Sequence, residues 1–396
     1  MSMIRKSSIA ACVLTCLGLS STANAADFNF NGFASVVGGI YSEDDVVYAG
    51  YDDEFDFSQD TVAGIQISSQ INDKFKATVQ LIARGVEDYD VEAELAYLTY
   101  SVNDKLDIRA GKLRTPFYYY SDYLEVGYAY PWIRPPLETY NRVAIDSFEG
   151  IDVLYRTNHG DWSGTWQFIY GRDSRGIVSE VLNQTIQTDS ENLLGLNVSF
   201  SNDWLTLRAG YVTTDLTQDI PNSLVGLFDT VNAAGFTGVV DEFRQDLPKK
   251  PEYLAFGMAV DYNNWLVNAE YTTINWDKAS FLNTGDSYFV MVGRRFDDFL
   301  VHFTYSYEED DPTYEANSIP EAHPLHAVFD GVIGSSAFNR EDTSYTAGVR
   351  YDIDIGVAIK FEVTRFDTEI AEPAFPGQTN PDEEGTLVNF GVDVVF

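Results

Sequence analysis

Histidine and cysteine, the side chains that most often bind metals or catalyse reactions, are scarce in this sequence, which has four histidines and two cysteines. Only His323 and His326 have a spacing that could bind a metal, and no third ligand accompanies them in helical or hairpin register. His159 lies in a predicted turn, and His302 lies alone on a predicted strand. We therefore expect no metal site, no cofactor and no catalytic centre.

Fixed charge is the chemistry that this chain offers instead. Asp and Glu number 61 against 25 Lys and Arg, which gives a formal net charge of −36. This balance excludes nucleic acid as a partner, because phosphate binding needs a basic surface. It suits a carboxylate-rich surface that attracts cations.

The N-terminal residues have the pattern of a secretory signal peptide. Arg5 and Lys6 form a basic start, and the apolar stretch 9–19 is too short to span a bilayer. The small residues 23–25 then form an A-x-A cleavage signal. We expect removal of 1–25 and a single mature domain over 26–396.

Cleavage at this site would remove both cysteines, Cys12 and Cys16, and two positive charges. The mature chain would then have no thiol and a net charge of −38, so no disulfide framework could stabilise it. A lipoprotein start at Cys12 is the alternative, but the apolar part of the signal follows that residue instead of preceding it. An uncleaved anchor would need about 20 apolar residues.

The elements that must position the charges are β-strands. Segments of about ten residues alternate apolar with polar or small side chains, as in 75–81. Sixteen such segments are joined by seven short turns rich in Asn and Asp and by eight long polar loops. The predicted short turns are 72–74, 103–105, 158–160, 202–203, 263–264, 297–298 and 352–354. The predicted long loops are 42–60, 85–91, 114–147, 171–190, 214–252, 276–285, 308–342 and 367–384.

The alternation of short and long connections is typical of a transmembrane barrel, which has short periplasmic turns and long external loops. Lipid cannot satisfy an open sheet edge, so the sheet must close. A soluble β-sandwich lacks this alternation. We predict an all-β fold, a sixteen-stranded antiparallel β-barrel in a Gram-negative outer membrane. Aromatic residues at turn exits would lie at the headgroup level, namely Phe75, Trp162, Trp204, Trp265 and Phe299.

The C-terminal segment 388–396 alternates apolar residues on one face and ends in Phe396. It resembles the last strand of Gram-negative porins, and 109–117 looks like the strand-to-loop passage of porins related to the phosphate-selective branch. The resemblance covers the whole mature chain. It implies a homotrimer in the outer-membrane lipid and lipopolysaccharide, with Phe396 as part of the signal read by the barrel-assembly machinery. Phosphate selectivity is not implied, because the dense arginine supply of that branch is not evident.

In porins the loop after the fifth strand folds into the barrel and narrows it. Here that third loop is 114–147, and it is rich in tyrosine, with Trp132 and two adjacent prolines. A loop this aromatic should pack against other residues. We expect it to fold inward, and packing on neighbouring external loops is the alternative.

If the apolar face of each strand contacts lipid, the polar face lines the lumen. Arginines of the wall would then face carboxylates of the loop across a constriction that passes small polar solutes. The predicted constriction and lumen residues are Arg84, Arg109, Arg114, Asp122, Glu125, Arg134, Glu138, Arg142, Asp146, Arg156 and Arg208. These charges could instead only pair and solvate a wide lumen. The acidic runs 43–45, 52–54 and 308–311 are predicted in external loops, as solvated tips or divalent-cation sites.

Together these features predict a porin, a water-filled channel for passive diffusion of small hydrophilic solutes and ions, with weak cation preference. The runner-up is a substrate-selective outer-membrane channel for an anionic or carboxylate nutrient. A soluble secreted β-protein and a barrel enzyme are alternatives from other classes. A barrel lipase would need a serine and a histidine on the lipid-facing rim, whereas His302 is predicted to face the lumen.

Deleting Phe396 should leave the chain in the periplasm, because the terminal aromatic residue is part of the implied assembly signal. Cell fractionation and immunoblotting would measure this. The matched variant Phe396→Tyr keeps an aromatic end and should reach the outer membrane. Normal outer-membrane levels of the deletion variant would contradict the prediction.

Overall fold

The structure is a computed structural model that describes most of the chain outside the N-terminal segment. The described residues are 27–43, 47–143, 145–179, 184–244, 246–276, 283–311, 317–333, 340–369 and 383–396. The predicted signal peptide and part of the acidic run 43–45 therefore lie outside the described residues.

Sixteen strands make up most of the described chain, and short helices lie in the loops. The strands are β1 (Asp27–Tyr41), β2 (Val62–Asn72), β3 (Phe75–Arg84), β4 (Val91–Asn103), β5 (Leu106–Arg114), β6 (Ser147–His159), β7 (Trp162–Ser179), β8 (Gln184–Ser201), β9 (Leu205–Gln218), β10 (Pro251–Tyr262), β11 (Trp265–Trp276), β12 (Thr284–Phe296), β13 (Phe299–Asp311), β14 (Arg340–Asp354), β15 (Val357–Glu369) and β16 (Glu383–Val395). The α-helices are α1 (Leu137–Tyr140), α2 (Asn222–Ala233), α3 (Thr237–Phe243) and α4 (Pro324–Ile333). Within the described residues, no helix has the length and apolar character needed to cross a membrane.

The sheet closes on itself. Each strand pairs antiparallel with its neighbours in sequence, and β1 pairs with β16 from Phe33↔Val395 to Tyr41↔Leu387. Beyond the last strand, Phe396 exchanges two backbone hydrogen bonds with Gly32, at 2.8 and 2.9 Å. The prediction of a closed sixteen-stranded antiparallel barrel is confirmed.

Side chains alternate between the two faces of the barrel wall. In β13, Val301 and Phe303 are about half exposed on the outer face, whereas His302 and Thr304 are buried on the inner face. The outer face is thus apolar and the inner face polar, as expected of a wall between lipid and a polar lumen. His302 lies inside, as the alternation predicted.

Strand length beyond the apolar region was not predicted correctly. Most of the predicted loop 171–190 belongs to β7 and β8, whose pairing continues to Ser179↔Gln184. The acidic run 308–311 likewise lies in β13 instead of an external loop and pairs with β14. Where both faces of a sheet meet water, the alternation of apolar and polar residues disappears although the backbone pairing continues.

One predicted short turn lies wholly outside the turn that the structure shows, and another, 158–160, overlaps it only at Gly160. Residues 352–354 end β14, and the turn falls at Ile355 and Gly356, where Gly356 has a φ of 80°. Glycine adopts this left-handed conformation without the steric cost that a β-carbon brings. The end of the barrel that carries the seven short turns is called the short-turn end below, and the opposite end is the long-loop end.

Two long loops carry helices that pack on each other. Helices α2 and α3 come from the loop after β9, and α4 comes from the loop after β13. Phe228, Val240 and Phe329 from these three helices lie in one buried hydrophobic cluster. These loops therefore contain a small core of their own at the long-loop end, which their polar composition did not predict.

The fifth strand contains a glycine that the wall geometry requires. Gly111 has a φ of 137°, and a β-carbon there would lie 2.2 Å from the carbonyl oxygen of Ala96 on the paired strand. Side chains rarely adopt this backbone conformation, and the close approach leaves no room for one.

The substitution Gly111→Ala should therefore lower the free energy of unfolding by about 1–3 kcal/mol. Urea unfolding of the detergent-solubilised barrel would measure the change. Gly210→Ala is the matched control in β9, because a β-carbon at that position has its nearest neighbour at 3.7 Å. Equal stability of the two variants would contradict the role assigned to Gly111.

Candidate functional site: a loop across the lumen

The third loop, between β5 and β6, enters the barrel and crosses it. It contains 3₁₀ turns at Ser121–Tyr123 and Gly127–Ala129 and the single-turn helix α1. Prolines at 116, 131, 135 and 136 lack backbone N–H groups and prevent a long regular element. The polar backbone groups of this irregular segment must therefore find partners on the barrel wall.

The two ends of the loop are fixed by one pair of wall residues. Arg208 of β9 donates to the carbonyl oxygens of Pro116, at 2.5 Å, and Phe117, at 3.1 Å. Glu270 of β11 accepts from the backbone N–H of Tyr119, at 2.8 Å, and from the hydroxyl of Tyr140, at 2.7 Å. The outgoing and returning parts of the loop are thus held against the same wall segment.

The middle of the loop is bound by cations from the opposite wall. The Nζ atom of Lys360 in β15 donates to the carbonyl of Gly127 at 2.7 Å and also to the carbonyl of Trp132. Arg350 of β14 donates to the carbonyls of Tyr128, at 2.6 Å, and Tyr130, at 3.0 Å. Hydrogen bonds from charged donors to carbonyl groups are stronger than those from neutral donors, so these bonds hold the loop firmly in place.

Aromatic packing accompanies these bonds. Trp132 is 1% exposed and donates its indole N–H to Thr304 at 2.8 Å. Its ring contacts Tyr120 and Phe289 edge to face. The expectation that the aromatic loop folds inward and packs against the wall agrees with this geometry.

The loop reaches far into the barrel. The backbone N–H of Gly356, in the turn between β14 and β15, donates to the hydroxyl of Tyr128 at 3.3 Å. That turn belongs to the short-turn end, whereas the loop starts at the long-loop end. Cavities lie on both sides of the loop, about 500 Å³ at the long-loop end and about 520 Å³ at the short-turn end.

One predicted wall arginine contacts a predicted loop carboxylate. Arg84 of β3 lies 2.7 Å from Glu125 of the loop, and it also contacts Glu92 at 2.5 Å and Glu94 at 3.1 Å. Arg114 shares Glu94 at 2.9 Å. This cluster has the predicted form, with cations of the wall facing an anion of the loop.

Two other predicted wall arginines pair within the wall. Arg109 donates to both carboxylate oxygens of Asp152 on the adjacent strand, from Nε at 2.8 and 3.1 Å and also from Nη2. Arg156 pairs with Asp107 at 2.7 Å, close to the turn that follows β6. Arg156 thus lies near the short-turn end, and within the described residues neither arginine forms an ion pair with a carboxylate of the third loop.

The predicted arginines of the loop all bind carboxylates of the surrounding wall and first loop. Arg134 lies 2.5 Å from Asp60 and over the ring of Tyr51. Arg142 contacts Glu308 at 2.5 Å and Asp310 at 3.1 Å. Both arginines therefore stabilise the position of the loop.

The predicted loop acids differ in environment. Asp122 is exposed, whereas Glu138 is 2% exposed and accepts from the hydroxyl of Tyr48 at 3.4 Å. Burial raises the pKa of Glu138 above its usual range. Burial also raises the pKa of Asp146 to about 6, and Arg175 lies 3.9 Å from that carboxylate.

Four wall residues that the predicted constriction set lacks also bind the loop, namely Glu270, Arg350, Lys360 and Glu362. Glu362 accepts from the backbone N–H of Ile133 at 3.0 Å. The available signal was a charged residue on the inner face of a strand that is apolar outside. No sequence signal shows which backbone group such a residue meets.

The histidine pair of the long loop serves the fold. His326 shares a hydrogen bond of 2.7 Å with the carbonyl of Ile319, and its other ring nitrogen lies 3.1 Å from Asp330. Among the residues that the structure describes, no three His, Cys, Asp or Glu side chains form a group that could hold a metal ion.

Comparison with known proteins gives one family and several similar barrels. The family model for Gram-negative porin matches residues 8–371. OmpT of Vibrio cholerae, in its trimer form, is 12% identical, with 94% of this chain and 100% of that chain covered and a TM-score of 0.54. No curated protein matches significantly.

Two further structures give similar values. The outer membrane channel DcaP of Acinetobacter baumannii is 12% identical, with 95% and 99% of the chains covered and a TM-score of 0.56. Salmonella typhi OmpF, in a complex with daunomycin, is 13% identical, with 94% and 98% covered and a TM-score of 0.53. At these identities the likeness concerns the fold.

Replacing residues 118–132 by a short Gly/Ser linker should raise the ionic conductance of the barrel, because it removes the segment that crosses the lumen. Single-channel recording in planar bilayers would measure the change. Replacing 224–232 of helix α2 by a similar linker is the control, since the third loop is retained. An unchanged conductance of the first variant would show that the loop does not limit the pore.

Proposed function

This chain belongs to the Gram-negative porin family and is an outer-membrane channel, and on that basis we propose that it passes small hydrophilic solutes and ions by passive diffusion, with a weak preference for cations. The observation that carries the proposal is the closed barrel with a polar inner face and a loop across its lumen. Such a lumen excludes large solutes and offers no apolar route.

The paired state of the wall arginines supports the cation preference. Arg84 has four carboxylates within 3.5 Å, and Arg109 is bonded to Asp152. Arg208 is bonded to backbone carbonyls. These arginines therefore have little free positive field, whereas the whole chain carries −36. A negative mouth concentrates cations over about 8–10 Å at near-physiological salt.

The export and assembly of the channel follow from the same proposal. Residues 1–25 act as a cleaved signal peptide, and Phe396 is read by the barrel-assembly machinery. The mature barrel of residues 26–396 resides among outer-membrane lipid and lipopolysaccharide as a homotrimer, for which the trimer form of the similar OmpT barrel is the support. The barrel catalyses no reaction.

Ion preference separates this proposal from a channel for anionic or carboxylate nutrients. We expect the reversal potential in a potassium chloride gradient to indicate a few-fold preference for K⁺ that falls as salt rises, because screening shortens the range of the field. The measurement is planar-bilayer recording at two salt concentrations.

Arg109→Ala serves as the diagnostic variant for this test. Under the cation proposal its reversal potential keeps the cationic sign. A reversal potential of anionic sign in the unmodified protein, abolished by Arg109→Ala, would overturn the proposal and favour the anion-selective channel.

A further inference from the structure

A cavity at the long-loop end combines several acid groups with a few apolar side chains. It has a volume of about 500 Å³ and lies between helix α1, the first loop and the ends of β11 to β16. Tyr48, Leu137, Trp276 and Phe366 contribute apolar surface. The cavity lies on the external side of the third loop, so a solute meets it before the loop.

The charge of the cavity wall is negative. Five carboxylates face two guanidinium groups there; the acids are Glu138, Glu308, Asp310, Asp342 and Glu383, and the bases are Arg142 and Arg340. Arg142 is bound to Glu308 and Asp310, and Arg340 is bound to Asp342 at 2.7 Å. Within the described residues, Glu138 and Glu383 have no cationic partner.

Glu138 is the group that points to a ligand. The residue is 98% buried and lines the cavity, and its Oε1 atom accepts from the hydroxyl of Tyr48. The hydroxyl groups of Ser306 and Ser344 lie near the carboxylate, but its Oε2 atom has no hydrogen-bond partner within 3.5 Å among the described residues. A buried carboxylate oxygen without a partner costs free energy that a bound cation or donor would recover. The burial that raises the pKa of this group has the same physical cause.

The kind of cation follows from the arrangement of the ligands. No three acid side chains of the described residues are grouped as metal ligands, so the site does not suit a bare divalent ion. Aromatic rings of Tyr48 and Phe366, stacked with centroids 4.2 Å apart, form part of the wall. A solute with an ammonium group and an apolar part would use both kinds of surface.

We propose that this cavity binds a small organic cation, with its ammonium group at Glu138 and its apolar part against the aromatic wall, as an entry site for cationic solutes. The inference rests on the proposed channel function and names a solute class for it.

Phenethylamine is a suitable probe because it joins an ammonium group to an aromatic ring. Isothermal titration calorimetry at pH 7.5 and low salt, with the detergent-solubilised full-length mature barrel, should detect its binding. Phenethyl alcohol has the same ring without the charge, and it should bind at least about tenfold more weakly, because it cannot form a charged hydrogen bond with a carboxylate. Equal binding of the two probes would overturn the proposal.

Glu138→Gln should weaken phenethylamine binding by about tenfold or more, because it removes the charge and retains the size. Glu383→Gln is the second variant and should weaken binding to a smaller extent. It allows the site to be tested even if the Glu138→Gln variant does not fold. Glu309→Gln is the matched control, because Glu309 lies on β13 between two cavity acids but is exposed on the other face. Unchanged phenethylamine binding in both cavity variants would overturn the proposal that the cation binds in this cavity.

The two proposals fail in different measurements. Loss of channel conductance in potassium chloride would reject the proposed function, whereas calorimetry still reports on the cavity. Normal conductance without phenethylamine binding would reject only the cation site. In planar bilayers, phenethylamine should block the current at lower concentration from the long-loop side than from the short-turn side, and equal block from both sides would contradict the placement.

Discussion

Backbone hydrogen bonding in lipid is the constraint on which this structure depends. A bilayer offers no water to an unpaired strand edge, so β1 and β16 must pair, and the register between them fixes the size of the lumen. The bonds between Gly32 and Phe396 continue that ladder to the last residue. The ring of Phe396 lies over Gly32 so closely that a β-carbon there would lie 2.2 Å from it. Closure and the aromatic C-terminus are thus one structural feature.

The need to pair backbone polar groups also explains the position of the third loop. Its prolines and tight turns leave carbonyl groups without partners in the loop itself. Lys360, Arg350 and Arg208 supply those partners, and each is a cation whose own burial requires compensation. The carbonyl groups of the loop and the buried cations of the wall therefore serve as hydrogen-bond partners for each other. Removing either partner would leave buried polar groups unpaired.

The fold was predictable from the sequence because one rule acts at every strand. Lipid outside and water inside impose a period of two, so the alternation located all sixteen strands. Where the strands extend beyond the lipid, the alternation is lost, and the prediction of a loop at 171–190 was wrong for that reason. The loop anchors were not predictable, since the bond from Lys360 to Gly127 joins residues 233 positions apart through a backbone atom that any residue type has.

A count of lumen charges was therefore a poor guide to selectivity. The predicted constriction set contains seven arginines and four acids, but in the structure most of these charges pair with neighbouring residues and stabilise the fold. Arg109 is bonded to Asp152, Arg142 to two acids of β13, and Arg208 to carbonyl groups. A charge that is paired at short distance has little field beyond its partner. The proposed cation preference therefore depends on the charges that are not neutralised at short distance, and the exposed carboxylate of Asp122 and the buried carboxylate of Glu138 are candidates for them. Under that proposal the field along the path comes from a few such acids, because the arginines of the predicted constriction are neutralised by their partners.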